Sequence, residues 1–126
     1  MKNCVAALGF ALLATTGTSA QDYPSRPVTL IVPYAAGGGN DVMARIVTEK
    51  MSRSLGQQIV IENKGGAGGS IATRQVAKAA PDGYTLGLGG TGTHAINPTL
   101  YPNVGYDPAR ISRRSASSRP VRWSCW

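Results

Sequence analysis

Three short stretches hold the residue types that could do chemistry. The first is Tyr34-Ala35-Ala36-Gly37-Gly38, with Asp41 just beyond it. The second is Ala67-Gly68-Gly69-Ser70. The third carries Thr91, Thr93, His94 and Asn97. In each, small side chains leave backbone N–H groups uncovered, and a hydroxyl, amide or imidazole stands nearby. Bare amides leading into a helix N-terminus form a seat for an anion. The helix dipole adds about 0.3–1 kcal/mol there, and each hydrogen bond to a charged group about 1.5–3 kcal/mol.

The same residues exclude several chemistries. His94 is the single histidine. No Ser/His/Asp or Cys/His arrangement can be assembled around it, and no metal-ligand spacing exists. The run Gly37-Gly38-Gly39-Asn40-Asp41-Val42 lacks the third glycine of a dinucleotide fingerprint, and no turn ends in the Gly-Lys-Ser/Thr of a P-loop. The turns therefore read as anion cradles without a cofactor, and binding without catalysis is expected. Asp41 lies in a first helical turn, where complementing the dipole is favoured over receiving a ligand ammonium or hydroxyl, or ordering a water. His94 reads first as a surface or capping histidine, with a ligand hydrogen bond as its functional alternative.

The elements that must position these turns can be read from periodicity. Val28 to Val32 is a short β-branched and aliphatic run, the pattern of a buried strand. A helix over Asp41 to Leu55 is expected, capped by Asn40 and ended by Gly56. Its core face would carry Met43, Val47, Met51 and Leu55 at i, i+4 spacing, widened by Val42 and Ile46. Gln57 to Glu62 predicts a second strand around Ile59-Val60-Ile61. Ser70 would cap a second helix reaching about Ala80, with Ala72, Val76, Ala79 and Ala80 on one face, before the turn Pro81-Asp82-Gly83. Tyr84 to Leu88 predicts a third strand. His94 to Tyr101 predicts a short helix broken near Pro98, and Pro102 to Pro108 a loop. The order β-α-β-α-β is an α/β class chain whose crossovers wind right-handed and whose strands run parallel. All three turns should then emerge at the carboxyl edge of one sheet, where open α/β sheets bind ligands.

The ends read differently. Met1-Lys2-Asn3, an apolar run from Cys4 to Ala14 and Thr18-Ser19-Ala20 form the pattern of an export signal over residues 1–20, cleaved after Ala20. Its apolar part is shorter than the roughly 20 residues a membrane span needs. Residues 21–109 carry seven cations against six anions, so the net charge of +7 resides mainly in Arg110, Arg113, Arg114, Arg119 and Arg122. With Cys4 and Cys125 at the two ends, no disulfide framework supports the domain.

Residues 20 to 109 resemble the Bug-type periplasmic receptors of tripartite tricarboxylate transporters. The resemblance is carried by Tyr23-Pro24-Ser25-Arg26-Pro27, Pro33-Tyr34-Ala35-Ala36-Gly37-Gly38 with Asp41, Leu55-Gly56-Gln57 and Val60-Ile61-Glu62-Asn63. It continues through Gly66-Ala67-Gly68-Gly69-Ser70, Val76 to Leu86, Ile96-Asn97-Pro98 and Tyr106-Asp107-Pro108. It implies that residues 21–109 are part of the first lobe of a type II periplasmic binding protein fold. It also implies capture of a small carboxylate (a di- or tricarboxylate, an amino acid or an aromatic acid) in the periplasm, and delivery to membrane permease subunits. The three turns would line the cleft.

The resemblance stops at Arg110. Residues 110–126 are rich in serine and arginine, without helix or strand periodicity. Back-translation with G/C-rich codons and restoration of one G after Arg110 gives Asp-Leu-Ala-Pro-Val-Gly-Leu-Val-Ala-Ser-Gly-Pro-Val-Val-Leu-Leu, so an out-of-frame tail is expected. A chain holding one wall of a cleft is expected to bind ligand little or not at all. Two competing readings are an exported nucleic-acid or polyanion binder using the arginine-rich tail with Trp123 and Trp126, and a small exported enzyme using Asp41 and His94. The export signal argues against nucleic acid as a partner.

Overall fold

The computed structural model describes residues 23–111. The expected export signal and the tail beyond Ile111 lie outside the described residues. The elements are β1 (Val28–Val32), α1 (Gly39–Leu55), β2 (Ile59–Asn63), α2 (Ser70–Lys78), β3 (Thr85–Gly87) and α3 (Asn97–Leu100). The strands form one sheet in the order β2-β1-β3, and both pairings are parallel. Val28 lies opposite Ile59, and Leu30 opposite both Ile61 and Leu86. The expected order and strand direction are therefore observed.

The central strand explains the composition of β1. Flanked on both edges and covered on both faces, it buries Val28, Ile31 and Val32 to no more than 1% exposure. The two helices cover opposite faces. Asn63, on the face of Val28 and Leu30, reaches Asp41 of α1. Gly87, on the face of Thr29 and Ile31, lies against α2: a methyl group there would come within 2.8 Å of Val76. The chain passes from β1 outward to β2 and then back across to β3. This places a topological switch point between the carboxyl ends of β1 and β3.

Several local expectations are corrected. Helix α1 begins at Gly39 after Gly38, with no side-chain cap, so Asn40 lies inside the helix. Its sheet-facing residues are Asp41, Ala44 and Thr48, whereas Val42, Met43, Ile46 and Val47 are 44–58% exposed. These four residues of the expected apolar stripe point away from the sheet because the helix packs through its small residues, while Met51, one turn further on, is half-buried. Ser70 does not cap α2; Gly69 holds the N-cap position, and the Ser70 hydroxyl is engaged by Asn97. Ala79 is extended, so α2 stops short of Ala80. Around Pro98 the helical path does not break. A wide π-type turn over Gly92–Ile96 runs directly into α3, with Pro98 in the first turn of that segment, where its missing N–H matters least. After the loop, Asp107 accepts the N–H groups of Ala109 and Arg110 and starts a helical turn at Pro108.

At the amino edge, the lead-in segment is fastened to the 81–84 turn. The Tyr23 hydroxyl donates to Gly83 O at 2.6 Å, and Ser25 N–H donates to the Tyr84 hydroxyl at 2.9 Å. The Arg26 guanidinium lies 4.2 Å from the centre of the Tyr84 ring and bonds Asp82 at 3.0 Å.

Candidate ligand-binding rim

The first turn is shaped from below by Asp41. Its Oδ2 accepts Gly37 N–H at 2.9 Å and Arg45 Nε–H at 3.0 Å, while Oδ1 accepts from Asn63 Nδ2 at 3.0 Å. The same Asn63 amide donates to Tyr34 O at 3.3 Å. These bonds, led by Arg45, lower the Asp41 pKa to about 2. Only 2% exposed and bonded through both oxygens, Asp41 faces inward and holds the turn. The expected structural role is thus the one its geometry serves, through the Gly37 amide as well as through the dipole.

The second turn bends through four successive residues with positive φ: Gly66 at 119°, Ala67 at 46°, Gly68 at 61° and Gly69 at 87°. Ala67 occupies a conformation that costs a residue with a Cβ about 1–2 kcal/mol. At Gly69 a side chain is excluded outright, since a methyl group would lie 2.8 Å from Thr93 Cγ2 and 2.9 Å from Pro33 Cβ.

The third turn is locked to the second. Thr93 is fully buried, and its hydroxyl lies 2.9 Å from His94 Nδ1 and within 3.2 Å of both Gly90 N and Gly90 O. The Tyr106 hydroxyl donates to Thr93 O at 2.6 Å. Asn97 Nδ2 donates to Gly68 O at 2.8 Å and to Ser70 Oγ at 3.1 Å.

The three turns share one rim. A methyl group on Gly65 would sit 3.6 Å from Ala35 N, and one on either Gly90 or Gly92 would sit 3.6 Å from the Tyr34 hydroxyl. Of the residues singled out in the sequence, Ala35, Ala36, Gly37, Gly38, Ala67, Gly68 and Thr91 are exposed, and Tyr34 and His94 are half-buried. Asp41, Gly69, Ser70, Thr93 and Asn97 are buried and serve as the fastening beneath the rim. Sequence reasoning missed Asn63, Arg45 and Tyr106, which complete that fastening. Asn63 carried a usable signal, a polar residue ending a buried strand directly before a glycine turn. Tyr106 carried none, being a loop residue thirteen positions from its partner. Among the described residues no cluster of His, Cys, Asp and Glu could hold a metal ion.

Residues 43–115 match the tripartite tricarboxylate transporter family receptor. A UPF0065 protein of Agrobacterium vitis is 51% identical over 105 residues, covering 82% of this chain and 30% of that protein. The solved periplasmic binding protein BugD is 53% identical with a TM-score of 0.66, over 68% of this chain and 28% of BugD. MatC from Rhodopseudomonas palustris, solved with bound malate, is 50% identical with a TM-score of 0.66, over 68% of this chain and 29% of MatC. The chain therefore spans less than a third of the length of these relatives. The family match holds the second and third turns of the rim, and the chain belongs to the tripartite tricarboxylate transporter receptor family.

Proposed function

We propose that residues 23–111 form one wall of a periplasmic solute-binding cleft that takes a small carboxylate through main-chain amides of the three turns. The observation that carries this reading is the gathering of the turns at the carboxyl rim of a parallel sheet, where the strand order reverses. The malate held by MatC supports a carboxylate as the ligand class. In this reading Ala35, Ala36, Gly38, Ala67, Gly68 and Thr91 offer amides or hydroxyl to the anion, the Gly37 amide being held by Asp41, and Tyr34 and His94 add side-chain contacts. Asp41, Gly69, Ser70, Thr93 and Asn97 keep those groups in place. The whole receptor would hand its ligand to permease subunits in the membrane. Binding without catalysis fits a family of receptors. Neither the polyanion-binding reading of the arginine-rich tail nor the enzyme reading of Asp41 with His94 has support from the family of receptors that the chain matches.

The test is a chimera. Residues 23–111 replace the corresponding segment of MatC, and malate binding is measured by isothermal titration. Retained binding is expected, with the unmodified 126-residue chain giving none tighter than about 1 mM. A folded chimera without affinity for malate would remove the carboxylate reading.

A further inference from the structure

We propose that the Tyr34 hydroxyl determines ligand specificity, donating a hydrogen bond to a second oxygen group of the ligand while the Ala35 amide takes a carboxylate oxygen of the first. The proposal rests on the carboxylate reading and deepens it: the ligand class becomes a small acid with two separated oxygen groups.

Tyr34 stands just past the carboxyl end of β1. Its carbonyl oxygen is held on the β2 side, accepting from Asn63 Nδ2 at 3.3 Å. Its hydroxyl reaches the other side, where a methyl group on either Gly90 or Gly92 would lie 3.6 Å from it. The ring thus spans the crevice between the carboxyl ends of β1 and β3, the place where open α/β sheets take ligands. Tyr84 and Tyr106 are half-buried as Tyr34 is. The Tyr84 hydroxyl accepts Ser25 N–H, and the Tyr106 hydroxyl donates to Thr93 O. The Tyr34 hydroxyl has no hydrogen-bond partner among the described residues.

The glycines of the third turn keep this donor open. Neither Gly90 nor Gly92 has the positive φ that calls for glycine, and beyond its own chain neighbours a methyl group on either would meet only the Tyr34 hydroxyl within 4 Å. Backbone strain and crowding by packed side chains therefore do not account for them. A methyl group there would instead take up space that an acceptor oxygen needs, about 2.7 Å from the hydroxyl. Gly65 stands in the same relation to the Ala35 amide. It too lacks a positive φ, and its methyl group would lie 3.6 Å from Ala35 N, whose N–H has no partner among the described residues. Two donors from adjacent residues are thus left open on opposite sides of the end of β1, the amide toward the second turn and the phenol toward the third. A ligand with one oxygen group engages one of them; a ligand with two engages both.

The test begins with the 126-residue chain. Tyr34→Phe removes an oxygen that no described residue binds, so the urea midpoint should stay in place; a lowered midpoint would show the hydroxyl engaged within the fold and overturn the proposal. Affinity is then measured by isothermal titration on the MatC chimera carrying residues 23–111, with Tyr34→Phe, Gly92→Ala and both together. Malate binding should weaken by about tenfold or more in Tyr34→Phe, as loss of a hydrogen bond to a charged group requires. Gly92→Ala should weaken it in the parent chimera and add no further loss beside Tyr34→Phe, because the methyl group then has no donor to cover. Butyrate, which has a single carboxylate, should not separate the parent chimera from Tyr34→Phe. Equal malate binding by these two, additive losses, or an equal fall for butyrate would overturn the proposal while leaving the carboxylate reading in place. A folded parent chimera without affinity for malate would remove that reading and this inference with it.

Discussion

The side-chain amide of Asn63, the last residue of β2, donates to Asp41 Oδ1 at 3.0 Å across the gap between sheet and helix. Through that contact the end of an edge strand reaches the carboxylate that holds the Gly37 amide, and so sets the shape of the first turn. Replacing Asn63 by alanine should leave Asp41 Oδ1 buried without its partner and lower stability by roughly 1–3 kcal/mol. Urea unfolding measures the loss, and hydrogen exchange at Gly37 should quicken with it. An unchanged midpoint with unchanged exchange would deny Asn63 this role.

Asp41 makes the stability depend on acid. Its pKa is lowered to about 2 in the folded chain, with Arg45 the leading cause, against an ordinary value of 3.8. A depressed carboxylate contributes stability that is present above the unfolded value and is lost as pH falls through the folded one. The advantage of the parent chain over Asp41→Asn should therefore be full above about pH 5 and shrink toward pH 2. Denaturation of both proteins across that range checks the sign, and a gap that widens in acid would contradict it.

Asn97 joins the second turn to the third through Gly68 O and Ser70 Oγ, and it is only 5% exposed. Asn97→Ala should cost roughly 1–3 kcal/mol, since buried polar groups lose their partner. Hydrogen exchange should rise in residues 66–70 and 90–97 together, because a single side chain ties the two turns. A rise confined to one turn would show that they are held separately.

Two glycines of the rim separate backbone strain from crowding. Gly37 has φ +84° with open space around it, whereas Gly69 has φ +87° and lies against Thr93 and Pro33. Alanine at position 37 should cost about 1–2 kcal/mol, the strain alone. Alanine at position 69 should cost a further 1–3 kcal/mol or so from overpacking. Thermal or urea unfolding of both variants gives the comparison; equal losses would mean that the contact around Gly69 relaxes freely.

The orientation of α1 is open to an equally direct check. Met43 is 58% and Ile46 is 52% exposed, while Ala44 is 2% exposed. Met43→Gln and Ile46→Gln should each change stability by no more than about 0.5 kcal/mol. Ala44→Gln, which forces a longer polar side chain against the sheet, should lose about 1–3 kcal/mol. The reverse order of sensitivity would turn the helix over.

Much of the architecture could be read from local signals. The runs Val28–Val32 and Ile59–Asn63, the glycine turns after them and the helical spans between them gave the β-α-β-α-β order. Right-handed crossovers then put the turns at one rim. Periodicity failed on α1 because it ranks residues by hydrophobicity alone. Packing on the sheet selected the side bearing Ala44 and Thr48, whose small volumes allow close approach, and left the larger apolar residues outside. It failed again at the caps, where Ser70 was drawn to Asn97, twenty-seven residues away, and not to its own helix.

For the rim, the sequence by itself determined which stretches of backbone carry no bulky side chain, because that depends only on where glycine and alanine stand; the tertiary structure then engaged some of their amides, Gly37 with Asp41 and Gly90 with Thr93. The sequence also determined that strands and helices alternate, since each period is a property of a short segment. Only the tertiary structure decided which polar side chains remain at the surface. Asp41, Ser70, Thr93 and Asn97 are polar by type yet buried by position. Their partners lie on other turns and other elements, and a buried polar group settles where a distant donor or acceptor can satisfy it.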